Sequence, residues 1–293
     1  GGSNLLAMQI DNLIIFNYPF ENNDALELYN NTMDLNYENE NGNLLGWYNF
    51  NQIDSFYDLS DNGNHGIIYG ATWVCDEIDA CGVWCGDNSS CPTITDIDGN
   101  VYATVQIGEQ NWMKQNLKVT HYNDGSEIST GLSDEAWTST TEGAFSIYED
   151  NPEYLENYGN LYNWLSVDDD RGVCPENYHV PSDDEWKETE IYLGMSQEEA
   201  DSEGWRGTDE GEKLKAVSMN GNNESGLTGI PGGFRDSYYG TYDDIGNRAS
   251  FWTSSETNSS TSAWDRRLKN TLGGVYRGGA DKKGGFSIRC LET

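Results

Sequence analysis

The 293 residues are enough for two folded units rather than one. Fifty Asp and Glu against 16 Lys and Arg leave a net charge of -34, which repels nucleic-acid phosphates and anionic lipid and excludes a nucleic-acid binder. Eighteen Tyr, ten Trp and eight Phe exclude an acidic disordered chain. No run of eighteen apolar residues occurs, so no membrane span is expected. The chain opens Gly1-Gly2-Ser3 without a secretory signal; it reads as a mature or trimmed form, and the missing signal is silent about secretion. Six cysteines, Cys75, Cys81, Cys85, Cys91, Cys174 and Cys290, suggest a disulfide framework and an extracellular or cell-surface location.

In chain order, residues 1–43 read as an N-terminal strand and arm. Leu5 to Phe20 is rich in strand formers and has no obvious partner within residues 93–293. Such an unpaired strand is a template for pairing with another subunit, so residues 5–20 are a candidate device for a homopolymer, a filament or fibre. Residues 44–74 carry two aromatic or β-branched runs around Asp61-Asn62-Gly63-Asn64, which predicts a β-hairpin. The pattern W-Y-x-F-N…D-x-S-x-N-G-N-H-G…G-A-T-W there resembles the opening of laminin-G-like jelly rolls, but it stops at Cys75 and implies a remnant. Residues 75–92 hold CDEIDACGVWCGDNSSC, similar to a small Cys-Gly-rich knot of extracellular multidomain proteins, with Trp84 inserted. Its gaps of five, three and five residues do not suit a four-thiolate zinc site, and two disulfides of open connectivity are expected.

Residues 93–293 form the larger unit. Thr93 to Met113 alternates as a hairpin about Asp98-Gly99-Asn100, and Asp96-x-Asp98-Gly99 reads as a turn because an EF-hand's twelve-residue loop and closing Glu are missing. Tyr158 to Val167 is a candidate short helix. Ser182 and Glu185 form a capping box that opens a clearer helix, with Trp186 and Leu193 on one face and Gly194 at its end. Beyond Gly221 the chain is glycine-rich, aromatic and strand-like.

The ordered motifs TDIDGNVYATVQIGEQNWMKQNLKVTHYNDG, YGNLYNW, CPENYHVPSDDEW, ESGLTGIPGGFRD, FWTSSE and GFSIRC resemble the Fibrobacter succinogenes major paralogous domain from Thr93 to Leu291. That family is similar to the formylglycine-generating, sulfatase-modifying group and through it to C-type lectins. The resemblance implies an α+β, C-type-lectin-like domain: a twisted irregular antiparallel sheet, two main helices and long loops, after a mostly β N-terminal region. It also implies surface display with adhesion or ligand binding, and a Cys174–Cys290 bridge tying a helix to the last strand.

Catalysis is not expected. A formylglycine-generating enzyme needs a free late thiolate, and the one late thiol, Cys290, is assigned to the bridge. His65, His121 and His179 show no metal-ligand spacing and read as structural or exposed. A structural calcium is a candidate cofactor at Asp236, Asp243 and Asp244, or at Asp168, Asp169 and Asp170, although the sugar-binding triplets of calcium-dependent lectins are absent. Seven of the 16 cations fall between Arg266 and Arg289. Trp264, Arg266, Arg267, Tyr276 and Arg277 are therefore the candidate ligand-binding residues, joining stacking surfaces to forked donors. The expected partner is a glycan or a surface-protein ligand.

Overall fold

The computed structural model describes residues 92–293 and, upstream, four strands: β1 (Asn12–Phe16), β2 (Leu44–Asn49), β3 (Ser55–Phe56) and β4 (Gly66–Ile67). The chain divides into two units, Gly1–Glu77 and Ile78–Thr293. In the first unit β1 pairs antiparallel with β2, setting Leu13 opposite Tyr48 and Ile14 opposite Trp47. The partner of β1 thus lies in the N-terminal unit and outside residues 93–293, and the pairing joins the arm to the segment read as a separate hairpin. Two β-prone runs pair along one edge of each strand. Strands β3 and β4 also pair, Ser55 opposite Ile67, on either side of the expected turn. The turn itself, His65 and Cys75, Cys81, Cys85 and Cys91 lie outside the described residues.

The second unit opens with β5 (Thr93–Thr95), β6 (Val101–Ile107) and β7 (Gln110–Met113), which make two successive hairpins where alternation suggested one. The buried Asp96 holds the first turn. It accepts the N–H groups of Asp98 at 3.0 Å and Asn100 at 2.9 Å and the Tyr102 hydroxyl at 2.6 Å. Its oxygens are thereby turned to the local backbone, the Asx-turn use of this residue. Gly108, at φ +61°, supplies the left-handed residue of the second turn.

Short elements follow: α1 (Asp134–Ser139), β8 (Phe145–Ser146), α2 (Leu155–Tyr158), β9 (Leu161–Tyr162), α3 (Trp164–Val167) and β10 (Tyr178–His179). The main helix is α4 (Asp183–Tyr192), then α5 (Gln197–Asp201), β11 (Gly204–Arg206) and α6 (Glu210–Leu214). Strands β12 (Gly232–Arg235), β13 (Tyr242–Ile245), β14 (Arg248–Glu256), β15 (Ser262–Lys269), β16 (Val275–Asp281) and β17 (Leu291–Glu292) complete the chain. One sheet runs β10-β17-β7-β6-β5 and another β11-β16-β15-β14. The unit is α+β. Among the described residues only α4 is longer than six residues, which corrects the expectation of two main helices. The candidate helix at Tyr158–Val167 is interrupted because Tyr162 pairs with Phe145 and bridges to Phe286, leaving Asn163 to cap a four-residue α3.

Helix α4 starts where Ser182 and Glu185 cap each other, and the acidic Asp183, Asp184 and Glu185 sit at its positive end. Trp186 points into the core, 4.6 Å from the Trp112 ring and 5.7 Å from Phe251. Leu268, Val275 and Leu291 close this core, so α4 lies against the four-stranded sheet. A second core surrounds the Cys174–Cys290 disulfide, with Tyr102, Tyr162 and Ile288 about it.

Candidate functional site

Strand β15 reads Ser-Ala-Trp-Asp-Arg-Arg-Leu-Lys, and a strand sends successive side chains to opposite faces. Arg266 and Arg267 therefore meet different environments. Arg266 faces α4 and is 0% exposed. Its Nε donates to Glu190 at 2.7 Å and its Nη1 to Asp183 at 2.8 Å. Arg277, opposite it on β16, donates to both Asp183 oxygens at 2.9 and 2.7 Å. Arg206 completes the network with two bonds to Glu190, at 2.8 and 2.9 Å. Burial alone would raise the Asp183 carboxyl, but Arg277 and Arg266 hold it well below the usual carboxylate range. The half-buried Trp264 lies on this side too, with the Arg277 guanidinium 3.7 Å from its ring centre. These positions correct the expectation for Arg266 and Arg277. Both are buried, and their donors are directed at interior carboxylates rather than at a ligand.

The opposite face carries a different row. Register places Trp205 of β11, Tyr276 of β16, Arg267 of β15 and Ser250 of β14 side by side across four strands. Trp205, 41% exposed, meets Tyr276 edge to face at 5.5 Å. The Arg267 guanidinium sits 4.6 Å over the Tyr276 ring. Beneath the row Asp265, 0% exposed, accepts Arg267 Nε at 2.5 Å and Nη2 at 3.2 Å. Burial pushes the Asp265 carboxyl up, against the pull of Arg267, Arg266 and Arg248. Arg248 lies at the edge of the row, 3.6 Å over Phe234, donating to Ser250 Oγ at 3.1 Å and paired with Asp244 at 3.4 Å. Burial, then the nearby charge of Arg267, lower its guanidinium to about 10.

Gly278 shapes the platform. A Cβ there would lie 2.5–2.7 Å from the Tyr276 phenol, so the missing side chain lets that ring lie along the strand. The result is two partly open aromatic rings and a guanidinium fixed by a buried carboxylate. This arrangement can stack on a flat or apolar ligand face and donate in a fixed direction. Of the five candidate residues, Arg267 and Tyr276 come together here, while Trp264, Arg266 and Arg277 gather on the covered face.

Trp205 carries the most open ring of the row and was missed by sequence reading. It lies far upstream in a three-residue strand without a periodic pattern, and only the β11–β16 register brings it to Tyr276.

The candidate metal ligands do not converge. Asp236 accepts the N–H groups of Tyr238 at 2.9 Å and Tyr239 at 2.6 Å, closing the β12–β13 turn. Asp243 accepts the Asp244 N–H at 2.8 Å, and Asp169 binds Arg171 at 2.7–2.8 Å. Among the described residues no three His, Cys, Asp or Glu side chains gather as a ligand set, which corrects the placement of calcium at either triplet. Asp236 and Asp243 are instead tied to turn amides, and Asp169 and Asp244 to cations. His121 sits 2.6 Å from Asp98 and His179 2.9 Å from Glu185, each in a side-chain pair.

No curated protein and no solved structure matches the chain. Residues 105–292, from within β6 to β17, match the Fibrobacter succinogenes major domain. The matched stretch is well over half of the chain and contains both sheet faces described above; the chain belongs to the Fibrobacter succinogenes major domain family.

Proposed function

We propose that the protein is a secreted or cell-surface binding and adhesion protein whose larger unit is a non-catalytic, C-type-lectin-like ligand-binding domain, related to the sulfatase-modifying group in fold and not in chemistry. The ligand is a glycan held on the partly exposed end of this face, at Trp205, Tyr276 and Arg267, the rest of the face being packed under Phe286 and Trp164 beside Trp252. The observation that carries this reading is the in-register row of Trp205, Tyr276 and Arg267, with the guanidinium anchored on the buried Asp265. Sugar rings present flat C–H faces to aromatic rings and hydroxyls to fixed donors. Cys290 is bonded to Cys174, so the late thiol that a formylglycine-generating mechanism would need is not a thiolate.

The alternative is a filament or fibre assembled through residues 5–20, where β1 has β2 as its neighbour in a two-stranded sheet. The deciding experiment is a glycan array on the full chain, followed by calorimetry on each hit with Trp205→Ala and Tyr276→Ala. Loss of binding in folded variants supports the reading. Hits that both variants retain at full affinity would move the site elsewhere.

A further inference from the structure

Between Arg266 and Arg289 the sequence places seven cations and a single acid, Asp281, in a chain of net charge -34. Most of the protein's cations are matched to carboxylates or held inside, as Arg266, Arg277 and Arg289 are. Two donors at the partly exposed end of the Arg267 face are not. Arg267 uses Nε and Nη2 on Asp265, and its Nη1 makes no hydrogen bond among the described residues. Lys269, two residues along β15 and so on the same face, has neither an ion pair nor a side-chain hydrogen bond among the described residues. Across the sheet Lys269 stands opposite Arg248, which is already occupied by Asp244 and Ser250. Acids outnumber bases threefold in this chain, so an unmatched guanidinium nitrogen and an unmatched ammonium beside an aromatic platform are conspicuous.

We infer that the ligand of this face is an anionic saccharide, with a carboxylate or sulfate bound between Arg267 Nη1 and Lys269 Nζ while its sugar ring packs on Tyr276 and Trp205. The inference rests on the glycan-binding reading and adds the charge class. The chemistry is complementary: an oxyanion accepts charge-assisted hydrogen bonds from both cations, and the rings supply a contact that does not depend on charge. The buried Asp265 fixes Arg267 so that its free nitrogen is oriented before the ligand arrives.

The test uses the full chain and three probes: tetragalacturonate, its fully methyl-esterified form, and a chondroitin sulfate tetrasaccharide. Calorimetry is run at low and high salt on wild type, Lys269→Gln and Trp205→Ala. At least one charged probe is expected to bind, more weakly at high salt, and whichever does tells carboxylate from sulfate. The ester should bind at least about tenfold more weakly than the uronate if the uronate is the ligand, and Lys269→Gln should weaken the charged ligand about tenfold. Lys269 is not buried, so its replacement leaves the core intact. Ester and acid of equal affinity, unaffected by Lys269→Gln, would overturn the anionic class and leave the aromatic face standing. Charged probes that bind as well to Trp205→Ala would overturn it as well, by placing the anion away from this face. If no probe binds and the glycan array yields only neutral sugars that need Trp205, the charge class alone falls; if it yields nothing that needs Trp205, the face itself falls.

Discussion

Arg277 grips Asp183 through two parallel hydrogen bonds, 2.9 and 2.7 Å long, and so joins the first turn of α4 to the middle of β16. Arg266 donates to the same carboxylate at 2.8 Å, which makes Asp183 the common anchor of two buried guanidiniums. Replacing it by Asn keeps the shape and removes the charge both cations depend on. Breaking such a pair from one side leaves an uncompensated buried charge, and Asp183→Asn is expected to lose about 3–5 kcal/mol in urea unfolding. A loss below about 1 kcal/mol would mean that water or another acid takes over the anchor.

Acid should loosen α4 first. Glu185 is pulled down to about 2 by its hydrogen bond to His179, then by the Ser182 amide and hydroxyl, with partial burial opposing them. A carboxyl with a depressed folded value adds stability that is fully present above its ordinary value and is lost as pH falls. The window therefore runs from about 4.5 down through about 2. Asp183 titrates in the same direction, so the loss continues below that range. Melting temperatures from pH 7 to 2 should fall in this window and fall less steeply for Glu185→Gln. Ser182→Ala should cost about 1 kcal/mol at neutral pH.

The capping box and the Asp96 turn were legible in the sequence because their partners lie within a few residues of each other. The bridge of Cys174 to Cys290 was legible only through family resemblance, since no local signal links residues 116 apart. Less legible was which cations are available. Arg266 and Arg267 are neighbours in a strand, so alternation alone sends one inward, and the pattern of β15 held that information. Which one goes inward depends on α4, whose Asp183 and Glu190 wait on one side. Where the loop acids turn was hidden for a related reason: Asp236 and Asp243 are satisfied by the amides nearest to them.

The Cys174–Cys290 disulfide closes a long loop and sits in the core beside Tyr102, Tyr162 and Ile288. With a sequence separation of 116, the chain-entropy relation gives a stabilisation of about 5 kcal/mol. The double variant Cys174→Ser, Cys290→Ser should lose most of this in urea unfolding and unfold at 37 °C far more readily. Peptide mapping without reductant checks the pairing directly, and free thiols at both positions would refute it.

Gly278 offers a test of the Trp205–Tyr276–Arg267 row that leaves every proposed contact residue in place. Alanine there puts a methyl group within 2.5–2.7 Å of the Tyr276 hydroxyl and ring carbons. The clash is with the outer end of a side chain rather than with backbone, so the ring can swing away at small cost in stability. Swinging away separates it from Arg267, now 4.6 Å above it, and from the Trp205 edge at 5.5 Å. Gly278→Ala should therefore unfold within about 1 kcal/mol of the wild type, a modest change of the kind usual outside the tightest core positions. Glycan affinity should fall as far as it does in Tyr276→Ala. If affinity survives while Tyr276→Ala abolishes it, the phenol acts through its hydroxyl in another orientation and not as a stacking surface. If both variants bind like the wild type, the row across β11, β16 and β15 is a packing arrangement and the ligand is held elsewhere.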